Sequence, residues 1–111
     1  PNPPCWPMVA DFYRRELGQT TQDFRTVTDS VRDIAKAFSI ALNKSNNGFM
    51  QIFEPVNNCV VLMGRSHRIG IEHCGVYLDG NVLHASPNGV VLEGMPTIKD
   101  TYPLIEFWGK A

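Results

Sequence analysis

The chain has 111 residues, 43% of them hydrophobic, which is enough for one hydrophobic core and too few for two, so we expect a single domain over residues 1–111. Ten Lys and Arg residues oppose eleven Asp and Glu residues, and the scattered basic residues argue against a nucleic-acid partner. The longest apolar runs, such as residues 60–63, are far shorter than a membrane-spanning helix, and the first residues lack the pattern of a signal peptide. We therefore expect neither a membrane span nor a signal peptide.

Two helices are predicted in the first half of the chain. The proline-rich residues 1–4 cannot start a helix, so the first helix is expected to begin at Cys5. Apolar residues then recur at helical spacing as far as Leu17, and Gly18 offers a C-terminal stop. The same spacing predicts a second helix over residues 31–42.

From residue 49 onward the apolar pattern becomes that of β-strands. Apolar runs rich in β-branched and aromatic residues are separated there by Gly, Pro and Asn. Six strands are predicted, over residues 49–53, 60–63, 69–78, 82–86, 90–92 and 104–108. Helices that precede strands indicate an α+β fold with an antiparallel sheet.

The dipeptide Asp79-Gly80 lies between two apolar runs and predicts a hairpin with a two-residue type I′ turn. In that register His73 and His84 share one face of the hairpin as diagonal neighbours within hydrogen-bonding reach. Cys74 then lies on the other face, where all its neighbours are apolar, as a core-facing surface requires. A three-residue loop would separate the two histidines onto opposite faces. The clean segregation of apolar residues favours the two-residue loop.

A cysteine nucleophile with a base and an orienting group can be assembled from Cys5, His73 and His84. A thiol at a helix N-terminus lies at the positive end of the helix dipole, which favours the thiolate. A neighbouring imidazole holds this ion pair and protonates the leaving amine, and a further polar group orients the imidazole. The backbone N–H of Cys5 or Trp6 can donate to an oxyanion, and Gly75 would let the first helix approach the sheet closely. Such a mechanism needs no metal and no cofactor.

The other cysteines and the remaining histidine fit simpler roles. Three cysteines without a C-x-x-C pair indicate neither a disulfide framework nor a zinc site, and Cys59 and Cys74 are expected in the core. His67 lies in a polar, basic loop and is expected to be exposed. Loops commonly build substrate grooves. The loops predicted to do so here cover residues 19–30, 43–48 and 64–68.

Three segments of the sequence form a recognisable series. They are Cys5-Trp6 at the start of a helix that continues Val9-Ala10-Asp11-Phe12-Tyr13-Arg14-Arg15-Glu16-Leu17-Gly18, then His73-x-Gly75-Val76-Tyr77, then Val82-Leu83-His84-Ala85. Together they resemble the NlpC family of papain-like cysteine peptidases, above all its branch in bacteriophage tails. The resemblance covers nearly the whole chain and implies a papain-like α+β fold with N-terminal helices packed on an antiparallel sheet.

The same resemblance implies an activity and the roles of three residues. Cys5 would be the nucleophile, His73 the base and His84 the polar third member of the site. The implied substrate is the stem peptide of bacterial peptidoglycan, whose peptide bonds the family hydrolyses.

The sequence departs from the family pattern beside the nucleophile. Family members usually carry Asp immediately before the cysteine, where this chain has Pro4, and a Tyr further upstream near the active site, whereas residues 1–4 contain none. Tyr77 and Tyr13 are the candidates to support the oxyanion in its place.

The resemblance also implies a biological setting. We expect a component of the virion tail, assembled in the host cytoplasm beside tail-tip proteins, that opens the cell wall during DNA entry or takes part in tail assembly. Two alternatives fit the same residues. The domain would be a catalytically silent structural or interaction module of the tail, or another acyl-transfer enzyme such as an amidase, a transglutaminase-like enzyme or a lipid acyltransferase, because a Cys-His-His set activates any acyl group.

Overall fold

Two helices and one six-stranded sheet make up the described part of the chain. The computed structural model describes residues 5–18, 49–87 and 89–110, with the side chains of residues 5–8, 10, 49 and 110 outside the description. The elements in chain order are α1 (Cys5–Leu17), β1 (Phe49–Ile52), β2 (Val60–Gly64), β3 (His73–Leu78), β4 (Asn81–Ser86), β5 (Gly89–Gly94), α2 (Met95–Thr101) and β6 (Leu104–Lys110). The predicted helix over residues 31–42 and the predicted loops over residues 19–30 and 43–48 lie outside the described residues.

The strands form one antiparallel sheet in the order β1-β6-β2-β3-β4-β5. The β3–β4 hairpin has the predicted register, with Leu78 opposite Asn81 and Gly75 opposite His84. Asp79 and Gly80 adopt φ values of 50° and 88°, the left-handed values that a type I′ turn requires at both central positions. The α+β class and the antiparallel sheet are therefore confirmed.

One face of the sheet is covered by α1 and is called the α1 face. Val60, Cys74 and Val76 point to this side, where they form a buried cluster with Val9 and Tyr13 of α1. These apolar residues of α1 recur every three to four positions, so they lie along a single stripe of the helix. Burial of that stripe holds α1 on the sheet, since each buried aliphatic side chain contributes about 1.5–3 kcal/mol.

The opposite face of the sheet is covered by α2 and is called the α2 face. Val61, Met63 and Val82 form its core with Ile98 of α2. Successive residues of a strand point to opposite faces, so His73 and His84 belong to the α2 face. The histidines and α1 therefore lie on different sides of the sheet.

The C-terminal half of α1 lies near the start of β2. The Tyr13 hydroxyl donates a hydrogen bond to the backbone carbonyl of Asn58, and Leu17 borders the same segment. Asn58 is in turn bonded to Tyr77, near the end of β3, by a backbone hydrogen bond of 2.8 Å. The helix α1 lies against β3 and β4.

The strand predicted to begin at Ile69 begins at His73, so residues 69–72 were wrongly assigned to it. Gly70 has a φ of 87°, a left-handed value that interrupts an extended strand, and its N–H bonds to the carbonyl of Ser66 at 2.9 Å. A Cβ atom on Gly64 would lie 2.2 Å from the Gly70 carbonyl oxygen, so the loop closes directly onto the end of β2.

The helix α2 was not predicted from the sequence. Pro96 lies in its first turn, where no backbone donor is needed, and Ile98 is its one buried residue. The N–H of Tyr102 bonds to the carbonyl of Ile98 at 2.7 Å and closes the last turn, and Pro103 follows. A helix of seven residues with one buried side chain shows no periodicity. In the described part of the chain, neither helix has the length and apolarity needed to cross a membrane.

Candidate functional site

The two histidines of the β3–β4 hairpin are in direct contact. His73 Nε2 and His84 Nδ1 are 3.0 Å apart, and the ring centroids are 5.1 Å apart with the rings nearly perpendicular. Both residues are 5% exposed. The predicted meeting of the two histidines on one face is therefore confirmed. In a hydrogen bond between two neutral imidazoles one ring donates and the other accepts, so the pair has a direction.

Glu93 and Tyr102, which no motif indicated, complete the surroundings of the pair. His84 Nε2 lies 2.7 Å from Oε1 of Glu93. The ring of Tyr102 stacks on His73 with centroids 5.8 Å apart and 27° between the planes. His73 is thus held by a hydrogen bond at its Nε2 atom and by an aromatic ring against its face.

The sequence contains a usable signal for Glu93 but none for Tyr102. The dipeptide Asn88-Gly89 is a hairpin signal that would set Glu93 opposite His84 on one face. The structure keeps Glu93 on that face but pairs Ser86 with Gly89, which sets Val82 opposite Glu93. Glu93 then becomes a diagonal neighbour of His84, in the same relation that joins the two histidines. Tyr102 depends on α2, whose short sequence carries no such pattern.

A small open cleft lies beside the histidine pair. It has a volume of about 130 Å³ and is lined by both histidines, Tyr102 and the end of β4, with Arg65 and Glu72 at its rim. This is below the size of pockets that enclose whole ligands, so it suits one side chain or the backbone of a longer chain. Arg65 belongs to the loop over residues 64–68 that was predicted as a groove wall.

The rim of the cleft carries both charges and a hydroxyl group. Arg65 Nε lies 3.2 Å from Oε1 of Glu72, and the backbone N–H of Arg65 also reaches that carboxylate. Burial raises the pKa of Tyr102, while the nearby Arg65 lowers it. The Tyr102 hydroxyl is therefore protonated at neutral pH and available as a hydrogen-bond donor.

Cys5 and Trp6 form the start of α1, but their side chains lie outside the described residues. The first turn of α1 contains no acidic residue, so no carboxylate there opposes a thiolate at Cys5. The helix α1 covers the face opposite to the histidines. The structure brings together His73 and His84, and the meeting of Cys5 with His73 stays a prediction.

Gly75 has a different role from the predicted one. It lies on the α2 face, away from α1, and a Cβ atom there would be 2.6 Å from the Leu83 carbonyl oxygen and 2.7 Å from Cγ1 of Val82. Its missing side chain therefore makes room for β4, which carries His84, and the predicted role of admitting α1 is wrong.

The two tyrosines proposed from the sequence make other contacts. Tyr77 shares the face of the histidines as a diagonal neighbour of His84, and its ring packs edge-on against Phe107 at 6.3 Å. The Tyr13 hydroxyl is bonded to Asn58, near the end of β3 remote from His73. Tyr102 is the tyrosine whose ring stacks on His73, and an oxyanion role for Tyr77 or Tyr13 stays a prediction.

The remaining thiols and the third histidine lie where the sequence indicated. Cys59 and Cys74 are buried, and His67 is exposed. Burial raises the pKa of the Cys59 thiol, which keeps it protonated and unreactive. Among residues 5–18, 49–87 and 89–110, no group of three or more His, Cys, Asp or Glu side chains is arranged to hold a metal ion.

Comparisons with protein-family models, with curated proteins and with solved structures found no match. The chemistry of the site must therefore be inferred from its own geometry.

Proposed function

We propose that the chain is a papain-like cysteine peptidase of the NlpC type that hydrolyses peptide bonds in peptidoglycan stem peptides. Cys5 acts as the nucleophile, His73 as the base and His84 as the group that orients His73. The observation that carries the proposal is the 3.0 Å hydrogen bond between the two histidines beside an open cleft.

In the proposed reaction the Cys5 thiolate attacks the carbonyl carbon of the scissile peptide bond. The resulting oxyanion accepts hydrogen bonds from backbone N–H groups at the start of α1 and from the Tyr102 hydroxyl. The protonated His73 gives its proton to the leaving amine as the C–N bond breaks, which leaves a thioester on Cys5. Water then loses a proton to His73 and attacks the thioester, and the C–S bond breaks, which releases the acid and restores the Cys5 thiolate beside protonated His73.

The shape and polarity of the cleft support a peptide substrate. An open cleft bordered by a strand end accepts an extended chain, and the Arg65–Glu72 pair offers both charges to a substrate with carboxylate and amine groups. Peptidoglycan stem peptides carry both kinds of group. The likeness to phage-tail members of the family supports a role in the virion tail, with tail-tip proteins as neighbours.

The direct test is to incubate the protein with purified muropeptides and to identify the cleaved bond by mass spectrometry. We expect cleavage by the wild type, no cleavage by Cys5→Ala, and cleavage by the matched control Cys59→Ala, which removes a buried thiol remote from the histidines. Unchanged cleavage by Cys5→Ala, or no wild-type cleavage across several wall chemotypes, would contradict the proposal.

One observation favours the alternative of a silent structural module. The helix that carries Cys5 covers the opposite face of the sheet, and both histidines are 5% exposed. In that case the histidine pair would stabilise the sheet without meeting a nucleophile. The reactivity of Cys5 toward an alkylating agent separates the two functions, because only the peptidase needs an activated thiol.

A further inference from the structure

The side chain of Glu93 continues the hydrogen-bonded chain that begins at His73. Glu93 Oε1 lies 2.7 Å from His84 Nε2, and His84 Nδ1 lies 3.0 Å from His73 Nε2. The three side chains come from three adjacent strands and all point to the α2 face. The arrangement is a linear series of contacts that ends at His73.

We propose that Glu93 is a positioning residue that fixes which nitrogen of each histidine carries the proton. An ionised carboxylate can only accept hydrogen bonds, so the atom facing it, His84 Nε2, carries a proton. In the neutral ring His84 Nδ1 is then an acceptor, and His73 Nε2 must donate to it. The proton of neutral His73 is therefore on Nε2, and the lone pair is on Nδ1.

This assignment gives the base a defined reactive atom. A histidine can accept a proton only at the nitrogen that lacks one, so His73 accepts at Nδ1 and at no other position. Without Glu93 either histidine can donate the hydrogen bond between them. If His84 Nδ1 donates, His73 Nε2 is the acceptor, and its lone pair is engaged in that bond. The role of these proton positions in catalysis rests on the proposed peptidase function. The positions themselves follow from the hydrogen bonds and do not depend on that function.

The charged and aromatic groups that line the cleft with the histidines make other contacts. Tyr102 faces His73 through its ring, and Arg65 and Glu72 are paired with each other at the rim of the cleft. On β3 and β4, the side chains that belong to the hydrogen-bonded series are those of His73 and His84. Glu93 is thus the carboxylate in direct contact with the pair among the described residues.

Nitrogen NMR of the full chain labelled with ¹⁵N-histidine tests the proton positions. Two-bond ¹H–¹⁵N correlations distinguish the two neutral tautomers, and the spectrum is recorded at a pH where the rings are neutral. We expect His73 and His84 each to show one tautomer, with the proton on Nε2, while exposed His67 shows a mixture. A proton on Nδ1 of either His73 or His84 in the wild type would overturn the proposal, whether or not any variant folds.

Two substitutions of Glu93 and one control separate positioning from a structural role. Glu93→Ala should lose the single tautomer at His84, and Glu93→Gln, which keeps the size of the side chain, should lose it too, because an amide can donate through its NH2 group as well as accept through its oxygen. Glu106→Ala is the matched control, because Glu106 accepts from Trp108 Nε1 at 3.0 Å on the α1 face and does not touch the histidines. Unchanged tautomers in a folded Glu93→Ala protein would contradict the proposal.

The muropeptide assay gives an independent outcome. If the peptidase function holds, both Glu93→Ala and Glu93→Gln should lower kcat by roughly 10-fold to 100-fold, the loss usual for a group that orients a metal-ligating histidine. Expected tautomers together with no wild-type hydrolysis would support the role of Glu93 and reject the peptidase. Wild-type hydrolysis together with a proton on Nδ1 of either histidine would reject the role of Glu93 and leave the peptidase function supported.

Discussion

At the scale of single residues, Gly75 determines how closely β4 can lie beside β3 and therefore where His84 is held. A Cβ atom at this position would meet a backbone carbonyl oxygen at 2.6 Å, and a backbone atom cannot move aside as the end of a flexible side chain can. The strand pairing that joins Gly75 to His84 is the same pairing that brings the two histidines together.

We expect Gly75→Ala to lower the free energy of unfolding by about 1–3 kcal/mol, as overpacking of a close contact does. The matched control is Gly109→Ala, where the nearest atoms to an added Cβ are 3.5 Å and 3.7 Å away and both belong to the side chain of Ile52. The control should stay within about 0.5 kcal/mol of the wild type. Urea unfolding measures both, and equal midpoints for the two variants would contradict the role of Gly75.

The histidine pair could be predicted from the sequence because a two-residue turn fixes the pairing, and the pairing fixes which side chains share a face. Glu93 follows from the same reasoning applied to the next hairpin. Tyr102 could not be predicted, since its contact with His73 depends on the path of α2 over the sheet. The position of Cys5 relative to His73 depends on packing between distant segments, which a strand register does not determine.

At the scale of elements, the position of α1 depends on its contacts with the start of β2. The Tyr13 hydroxyl is bonded to the Asn58 carbonyl, and its ring is buried under the helix. Burial raises the pKa of Tyr13 above its ordinary value, and the neighbouring Cys59 acts in the same direction. Tyr13 is thus a protonated donor that fixes the end of α1 remote from Cys5.

We expect Tyr13→Phe to lose about 0.5–1.5 kcal/mol of unfolding free energy at pH 7, the usual contribution of one hydrogen bond. Because the folded-state pKa of Tyr13 is raised, the stability linked to its ionisation is fully present below about pH 10 and is lost as the pH rises further. Wild-type stability should therefore fall above about pH 10, and the Phe variant should fall less steeply there.

Urea unfolding at pH 7, 9 and 11 measures this difference in slope. Tyr102, whose pKa is also raised by burial, contributes with the same sign in both proteins, so the comparison isolates Tyr13. Parallel stability curves for the wild type and Tyr13→Phe above pH 10 would contradict the assignment.

Elements with a strong pattern were predicted well, and those without one were not. The first helix has the predicted bounds, and the β3–β4 hairpin has the predicted turn and register. The segment over residues 69–72 looks like a strand by composition, but Gly70 turns the chain back onto Gly64. The prediction failed for residues 69–72 and for α2. In both segments a tertiary contact outweighed the local sequence preference.

At the scale of the whole molecule, the sheet separates the helix that carries the candidate nucleophile from the histidines that would activate it. The two meet only if Cys5 reaches around the sheet at the start of β3, where the cleft opens. The α+β class and the antiparallel sheet are confirmed, and the papain-like arrangement remains our proposal. Its central requirement is the contact between the Cys5 sulfur and His73.

The pH dependence of Cys5 alkylation by iodoacetamide, followed peptide by peptide by mass spectrometry, tests that requirement most directly. We predict that Cys5 reacts below pH 7 and much faster than buried Cys59 and Cys74. In His73→Ala, the reaction should follow the ionisation of an ordinary thiol near pH ~8.5, while the exposed control His67→Ala should match the wild type. A Cys5 profile that is ordinary in the wild type and unchanged by His73→Ala would contradict the account.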